Sequence, residues 1–171
     1  MKTTRIFLVG YMGSGKSAMG RLLAKRFNFS FVDLDHYIEG KYHKTIAQLF
    51  QDEGEATFRE KEKSCLREVG EFENTVIATG GGAPCFFDSM EYMNRQGLTI
   101  YLRLQPEQLV DRLQKGKAGV RPLINGKSPE DLLVFIRSML EKRSAFYEMA
   151  QRIIEGNDEE ITRQINDFYV S

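Results

Sequence analysis

Residues 10–17 read Gly10-Tyr11-Met12-Gly13-Ser14-Gly15-Lys16-Ser17 and fit the pattern G-x-x-x-x-G-K-[ST]. Glycines at these spacings let successive backbone N–H groups turn inward onto phosphate oxygens. A helix opening at Lys16 would aim its positive end at the same point. Lys16 is then spaced to reach the β- and γ-phosphates, and the Ser17 hydroxyl to ligate Mg²⁺. The expected nucleotide contacts are Gly13, Ser14, Gly15, Lys16, Ser17 and Ala18. The chemistry implied is binding of a nucleoside triphosphate.

A second group is acidic. Asp33-Leu34-Asp35 follows a short apolar run. If extended geometry persists, a period of two puts both carboxylates on one side. One could hold Mg²⁺ through water and the other receive a proton from an attacking hydroxyl. Asp35 also precedes a helical stretch and suits an N-cap; a phosphate loop on the same sheet edge favours the chemical reading. Gly80-Gly81-Gly82 is costly in backbone entropy after a buried strand, which suggests close passage of a ligand or another backbone. Arg121 lies in a segment, Lys115 to Lys127, holding three glycines, four cationic residues and Pro122. It reads as a mobile loop that could carry an arginine over a transferring phosphoryl group. Taken singly, Arg59 could merely pair with Glu55 at i,i+4, and Arg143 could stack on Tyr147. His36 and His43 have no metal-ligand partner at useful spacing, and nothing marks Cys85 as a nucleophile.

These groups need a scaffold. Ile6–Val9, Phe29–Val32, Thr75–Ala78 and Leu98–Leu102 are short apolar runs of the kind buried in a parallel sheet, and a last strand is expected near 150–154. Helical spacing runs from Lys16 to Phe27. From His36 to about Gly70 the chain reads as helical pieces with breaks near Gly40 and Gly54, and residues 86–96 also read as helix. Pro106 suits a first helical turn, Ser128-Pro129 opens a long helix, and a terminal helix covers about 158–169. Alternating strands and helices predict an α/β fold with a parallel sheet. Ligands then bind at the carboxyl ends of the strands, where Gly10, Asp33 and Gly80 all fall.

Composition narrows the classes. The 171 residues carry 24 basic and 24 acidic side chains, a net charge of zero, which argues against a nucleic-acid or membrane binder acting through bulk charge. Two cysteines, Cys65 and Cys85, are too few for a disulfide framework and suit a reducing compartment. No apolar run approaches a membrane span and no targeting segment is visible, so a cytoplasmic protein is expected. A monomer is favoured. The guanine-specifying N-K-x-D and the switch motif D-x-x-G do not occur.

Together the motifs resemble the shikimate kinase family over nearly the whole chain: G-Y-M-G-S-G-K-S (10–17), D-L-D (33–35), F-R-E-K-E (58–62), T-G-G-G (79–82), R-P-L (121–123) and R-S-A-F-Y (143–147). The resemblance implies a three-layer α/β/α fold with a five-stranded parallel sheet of the nucleoside monophosphate kinase-like type. It implies one P-loop kinase domain over 1–171, with a substrate-binding insert at about 34–62 and a lid at about 114–126. The implied activity is ATP- and Mg²⁺-dependent phosphorylation of the 3-hydroxyl of shikimate, a step toward chorismate and the aromatic amino acids. By match to the family's motifs, Lys16, Asp35 and Arg121 are catalytic, Arg121 also touches the nucleotide, and Ser17 and Asp33 serve the metal. Asp35, Arg59, Gly80, Gly81, Gly82 and Arg143 bind the acceptor. Where the family often carries an adenine-stacking arginine before the R-P-L element, this chain leaves Arg112 and Lys115 as candidates. Residues 155–159 lack the Arg and Pro often found near the base. The rival readings are a related small-molecule kinase, such as gluconate kinase, and a non-catalytic nucleotide-dependent switch.

Overall fold

The structure is a computed structural model and describes residues 4–116 and 126–170, the last three without side chains. Arg121 and most of the expected lid lie outside the described residues. Strand β1 spans Arg5–Val9, β2 Ser30–Asp33, β3 Thr75–Ala78, β4 Leu98–Leu102 and β5 Arg152–Ile154. The described strands form one parallel sheet in the order β2-β3-β1-β4-β5. Ile6, Phe7, Leu8 and Val9 are fully buried, as a central strand covered on both faces requires.

Helix α1 spans Lys16–Phe27, α2 Leu34–Tyr42, α3 Ile46–Val69, α4 Ser89–Gln96, α5 Pro106–Lys115, α6 Pro129–Tyr147 and α7 Asp158–Val170. On one sheet face Ile6, Leu8, Val76 and Ile100 pack with Met19 and Leu23 of α1 and with Ile161 and Ile165 of α7. On the other, Phe7, Val9 and Ile77 pack with residues of α2, α3 and α4 and with Tyr147. The result is the expected three-layer arrangement. A third cluster joins Tyr11 to Leu109 and Leu113 of α5 and Leu132 and Ile136 of α6, tying the loop after β1 to the helices flanking residues 117–125. No described helix is long and apolar enough to cross a membrane.

Three expectations at element ends are corrected. The chain leaves extended geometry at once after Asp33, so Asp33 and Asp35 do not share one side of a strand: Asp33 is the N-cap of α2, accepting from the His36 N–H at 3.2 Å, and Asp35 lies in the first helical turn. Gly40 does not break α2, because a lone glycine lowers helix stability without ending it. The break falls at His43, in the left-handed region, before a Thr45–Gln48 capping box that starts α3. Gly54 does interrupt α3, with φ 81°. The helix expected over 86–96 begins only at Ser89, since Ala83–Cys85 form a 3₁₀ turn and Phe87 takes a positive φ.

Candidate active site

The loop after β1 has the local chemistry its sequence requires. Gly10 has φ +146°, and a methyl there would lie 2.9 Å from the Leu102 carbonyl oxygen, so only glycine fits. Gly13 and Gly15 also have positive φ, and Lys16 follows directly as the first residue of α1. Lys16 is 8 % exposed, and its ammonium donates to the carbonyls of Gly10 at 2.7 Å and Tyr11 at 2.9 Å. The positive charge is thus held across the mouth of its own loop. Ser14 Oγ is buried with no hydrogen-bond partner among the described residues, a group a phosphate oxygen would satisfy. Ala18 is exposed in the first turn of α1.

Beside this loop, Ser17 Oγ donates to Asp33 Oδ2 at 2.6 Å. Two hard oxygen ligands at the mouth of a phosphate loop match a small divalent cation, which takes one or two protein oxygens and fills its shell with phosphate and water. The donor set therefore fits Mg²⁺. The described residues hold no cluster of three or more His, Cys, Asp or Glu for a dedicated metal cage.

The glycine triplet forms the opposite wall, and each glycine faces one of the predicted side chains. A methyl on Gly80 would sit 2.7 Å from Asp35 Oδ1. On Gly82 it would sit 2.6 Å from both Nη1 and Nη2 of Arg59, and on Gly81 3.5 Å from Arg143 Nη1 and 3.3 Å from the Met12 amide nitrogen. Residues from α2, α3, α6 and the loop after β1 thus converge on three consecutive positions after β3. Burial, reinforced by the neighbouring Asp33 charge, raises the pKa of Asp35 above the ordinary carboxylate value, and Lys16 opposes the shift.

Arg59 pairs with Glu55 at 3.5 Å, but the closer partner is Glu62, at 2.7 Å. The guanidinium is also boxed by Phe86 at 4.2 Å, Phe58 at 5.2 Å and Phe50 at 5.6 Å. Its Nε is buried without a partner among the described residues. Glu62 is 4 % exposed, and burial pushes its carboxyl up to about 7 against the opposing pull of Arg59. Glu62 belongs to the F-R-E-K-E segment yet received no role from sequence; its i,i+3 spacing from Arg59 was the available signal. Of the enclosing phenylalanines, Phe58 directly precedes Arg59 in that segment, whereas Phe86 is distant in sequence and left no signal.

Arg143 does not stack on Tyr147. Its guanidinium lies 5.9 Å from the ring of Tyr11 and near enough to the Tyr147 hydroxyl to oppose the rise that burial gives its pKa. Of the two base-side candidates, Lys115 pairs with Asp111 on the exposed side of α5. Arg112 lies over the phosphate loop: a methyl on Gly15 would meet its Nη1 at 2.9 Å, and its Nη2 is 3.4 Å from Asp158. Cys65 and Cys85 are free thiols, and burial pushes Cys85 up to about 11, as expected of an unreactive cysteine.

A family model described as shikimate kinase matches residues 12–170. A shikimate kinase of Bacteroides fragilis is 55% identical over 149 residues, covering 87% of this chain and 83% of that protein. The crystal structure of shikimate kinase from Bacteroides thetaiotaomicron superposes with a TM-score of 0.90 at 47% identity, covering 97% of this chain and 96% of that one. The shikimate kinase of Acinetobacter baumannii, solved in complex with shikimate, gives 0.85 at 34% identity, covering 99% and 96%.

Proposed function

The chain belongs to the shikimate kinase family, an ATP-dependent phosphotransferase family, and from that membership we propose how its residues divide the transfer of the γ-phosphoryl group of ATP to the 3-hydroxyl of shikimate. The observation that carries the assignment is the one-to-one packing of Gly80, Gly81 and Gly82 on Asp35, Arg143 and Arg59. An acidic group and two guanidinium groups converge there within reach of a phosphate loop. Shikimate offers the complementary set, ring hydroxyls and one carboxylate.

Arg59 and Arg143 bind the carboxylate, for which a planar guanidinium suits better than a point charge. Glu62 and the aromatic box hold Arg59 in one orientation. The flat backbone of the glycine turn closes on the ring. Asp35 accepts a hydrogen bond from the attacking hydroxyl and takes its proton as the new P–O bond forms. Its raised pKa favours that uptake, although positioning carries most of the catalysis in phosphoryl transfer. The Gly13–Ala18 backbone cradles the phosphates. Lys16 exchanges its two carbonyl partners for phosphate oxygens, and Arg112 lies on the nucleotide side of the loop. Ser17 and Asp33 would hold Mg²⁺, which when bound offsets phosphate charge. Arg121, outside the described residues, is assigned to the transferring phosphate from its R-P-L motif. The proposal extends to one kinase domain over 1–171 acting as a cytoplasmic monomer.

The test is ADP release with Mg²⁺ and ATP over a panel of hydroxy acids. Turnover confined to shikimate is expected; turnover of gluconate but not shikimate overturns the acceptor assignment. ATP binding without acceptor-stimulated turnover reduces the protein to a nucleotide-dependent switch.

A further inference from the structure

Tyr147 stands at the end of α6, one helical turn beyond Arg143, and is completely buried. Its hydroxyl donates to the carbonyl oxygen of Gly81, 66 residues away in sequence, and the positive Arg143 guanidinium lies close by. Its ring packs on Tyr101 of β4 at 5.1 Å. Burial raises the phenol's pKa, so the hydroxyl keeps its proton and remains a donor. Gly81 in turn faces the phosphate loop, where a methyl on it would lie 3.3 Å from the Met12 nitrogen and 3.7 Å from the Gly10 carbonyl oxygen. The Tyr147 hydroxyl therefore ties the end of α6 to the turn after β3 and, through that turn, to the loop after β1.

Resting on the assignment of the glycine turn and Arg143 to the acceptor, we propose that Tyr147 is a positioning residue for shikimate: its hydroxyl fixes the Gly81 carbonyl to the end of α6, beside the Arg143 guanidinium. Without the hydroxyl, Arg143 keeps its charge, but the Gly81 carbonyl beside it loses its anchor to α6. The Cys85 sulfur, 4.0 Å from the same carbonyl, is too distant and too weak a donor to replace it. The consequence falls on the acceptor side. The Lys16 contacts and the Ser17–Asp33 pair involve none of these atoms.

Tyr147→Phe removes one oxygen and retains the ring on Tyr101. Steady-state kinetics with each substrate varied, calorimetric titration of shikimate and a thermal melt compare it with wild type and with Arg143→Ala. The expected result is a shikimate KM and Kd raised about three- to ten-fold, the range for one lost buried hydrogen bond, with the ATP KM unchanged. An unchanged shikimate KM and Kd, with or without a lowered melting temperature, overturns the proposal by leaving Tyr147 a packing residue. Equal rises in both KM values also overturn it. Arg143→Ala separates the two levels of the argument. If it leaves shikimate binding intact, the underlying site assignment fails. If it weakens shikimate while Tyr147→Phe does not, only the role of Tyr147 is lost.

Discussion

Replacing Glu62 with glutamine separates what this carboxylate does for the fold from what it does for Arg59. Burial raises its pKa from an ordinary 4.5 to about 7 in the folded protein. The native state therefore holds its proton more tightly than the unfolded chain does. The stability from this group is fully present below pH 4.5 and is lost as pH rises toward and through 7. At about 1.4 kcal/mol per pH unit, the loss above pH 7 is roughly 3 kcal/mol. Glutamine does not titrate. Whatever constant offset the swap introduces, Glu62→Gln gains roughly 2 to 3 kcal/mol on wild type between about pH 5 and about pH 8. Urea unfolding of both proteins at several pH values across that range measures the difference directly. The same variant removes the carboxyl that accepts from Arg59 Nη1 at 2.7 Å, so its shikimate KM rises even where its stability improves. A stability difference independent of pH would refute the reasoning, because Glu62 would then titrate alike in the folded and unfolded chains.

Asp35→Asn is expected to lower kcat by about 10²- to 10⁴-fold, the usual range for a lost acid–base group, with the ATP KM unchanged; since Asp33 rather than Asp35 caps α2, the variant folds normally, and wild-type turnover would remove Asp35 from the chemistry. Gly82→Ala puts a methyl 2.6 Å from both terminal nitrogens of Arg59, whose retreat is blocked by Phe86 and Glu62. It loses about 1–3 kcal/mol of stability, typical of overpacking, and its shikimate KM rises with no change for ATP; a variant indistinguishable from wild type in denaturant and in kinetics would mean the guanidinium is free to move.

What was legible in the sequence was what chemistry imposes on neighbouring residues. The phosphate loop at 10–17, the glycine triplet and the apolar runs of the sheet are contiguous, and their spacing is itself the physical requirement. Asp33 and Asp35 were legible as a pair but not as geometry. The extended reading failed because the Asp33 carboxylate accepts the His36 N–H and starts a helix at Leu34; capping wins over strand persistence where no further ladder partner is available. Gly40 looked like Gly54, yet one sits inside a helix and the other takes φ 81°, a difference that residue type alone does not carry. Arg59 suggested a surface i,i+4 pair with Glu55, whereas its main anchors are the buried Glu62 and three phenylalanines, one of them on the segment after the glycine turn. Only the fold brings residues 50, 58, 62 and 86 together.

The glycine turn also explains how a chain with no net charge can build a selective anion site. A guanidinium in the interior is strongly disfavoured unless it is paired and enclosed. Arg59 meets that condition with one close carboxylate, a more distant and exposed second one, and three ring faces, while Arg143 is only half-buried and lies 5.9 Å from the ring of Tyr11. Neither full neutralisation nor full exposure would serve. Two tight carboxylate partners would leave no affinity for a substrate carboxylate, and water would weaken the attraction to that of any surface charge. Glycine at positions 80–82 lets side chains of opposite sign approach one short backbone segment without a Cβ to hold them off. Filling position 80 or 82 should therefore weaken acceptor binding through a different side chain, Asp35 at 80 and Arg59 at 82, whereas a methyl at 81 would press first on the Met12 nitrogen of the phosphate loop, at 3.3 Å.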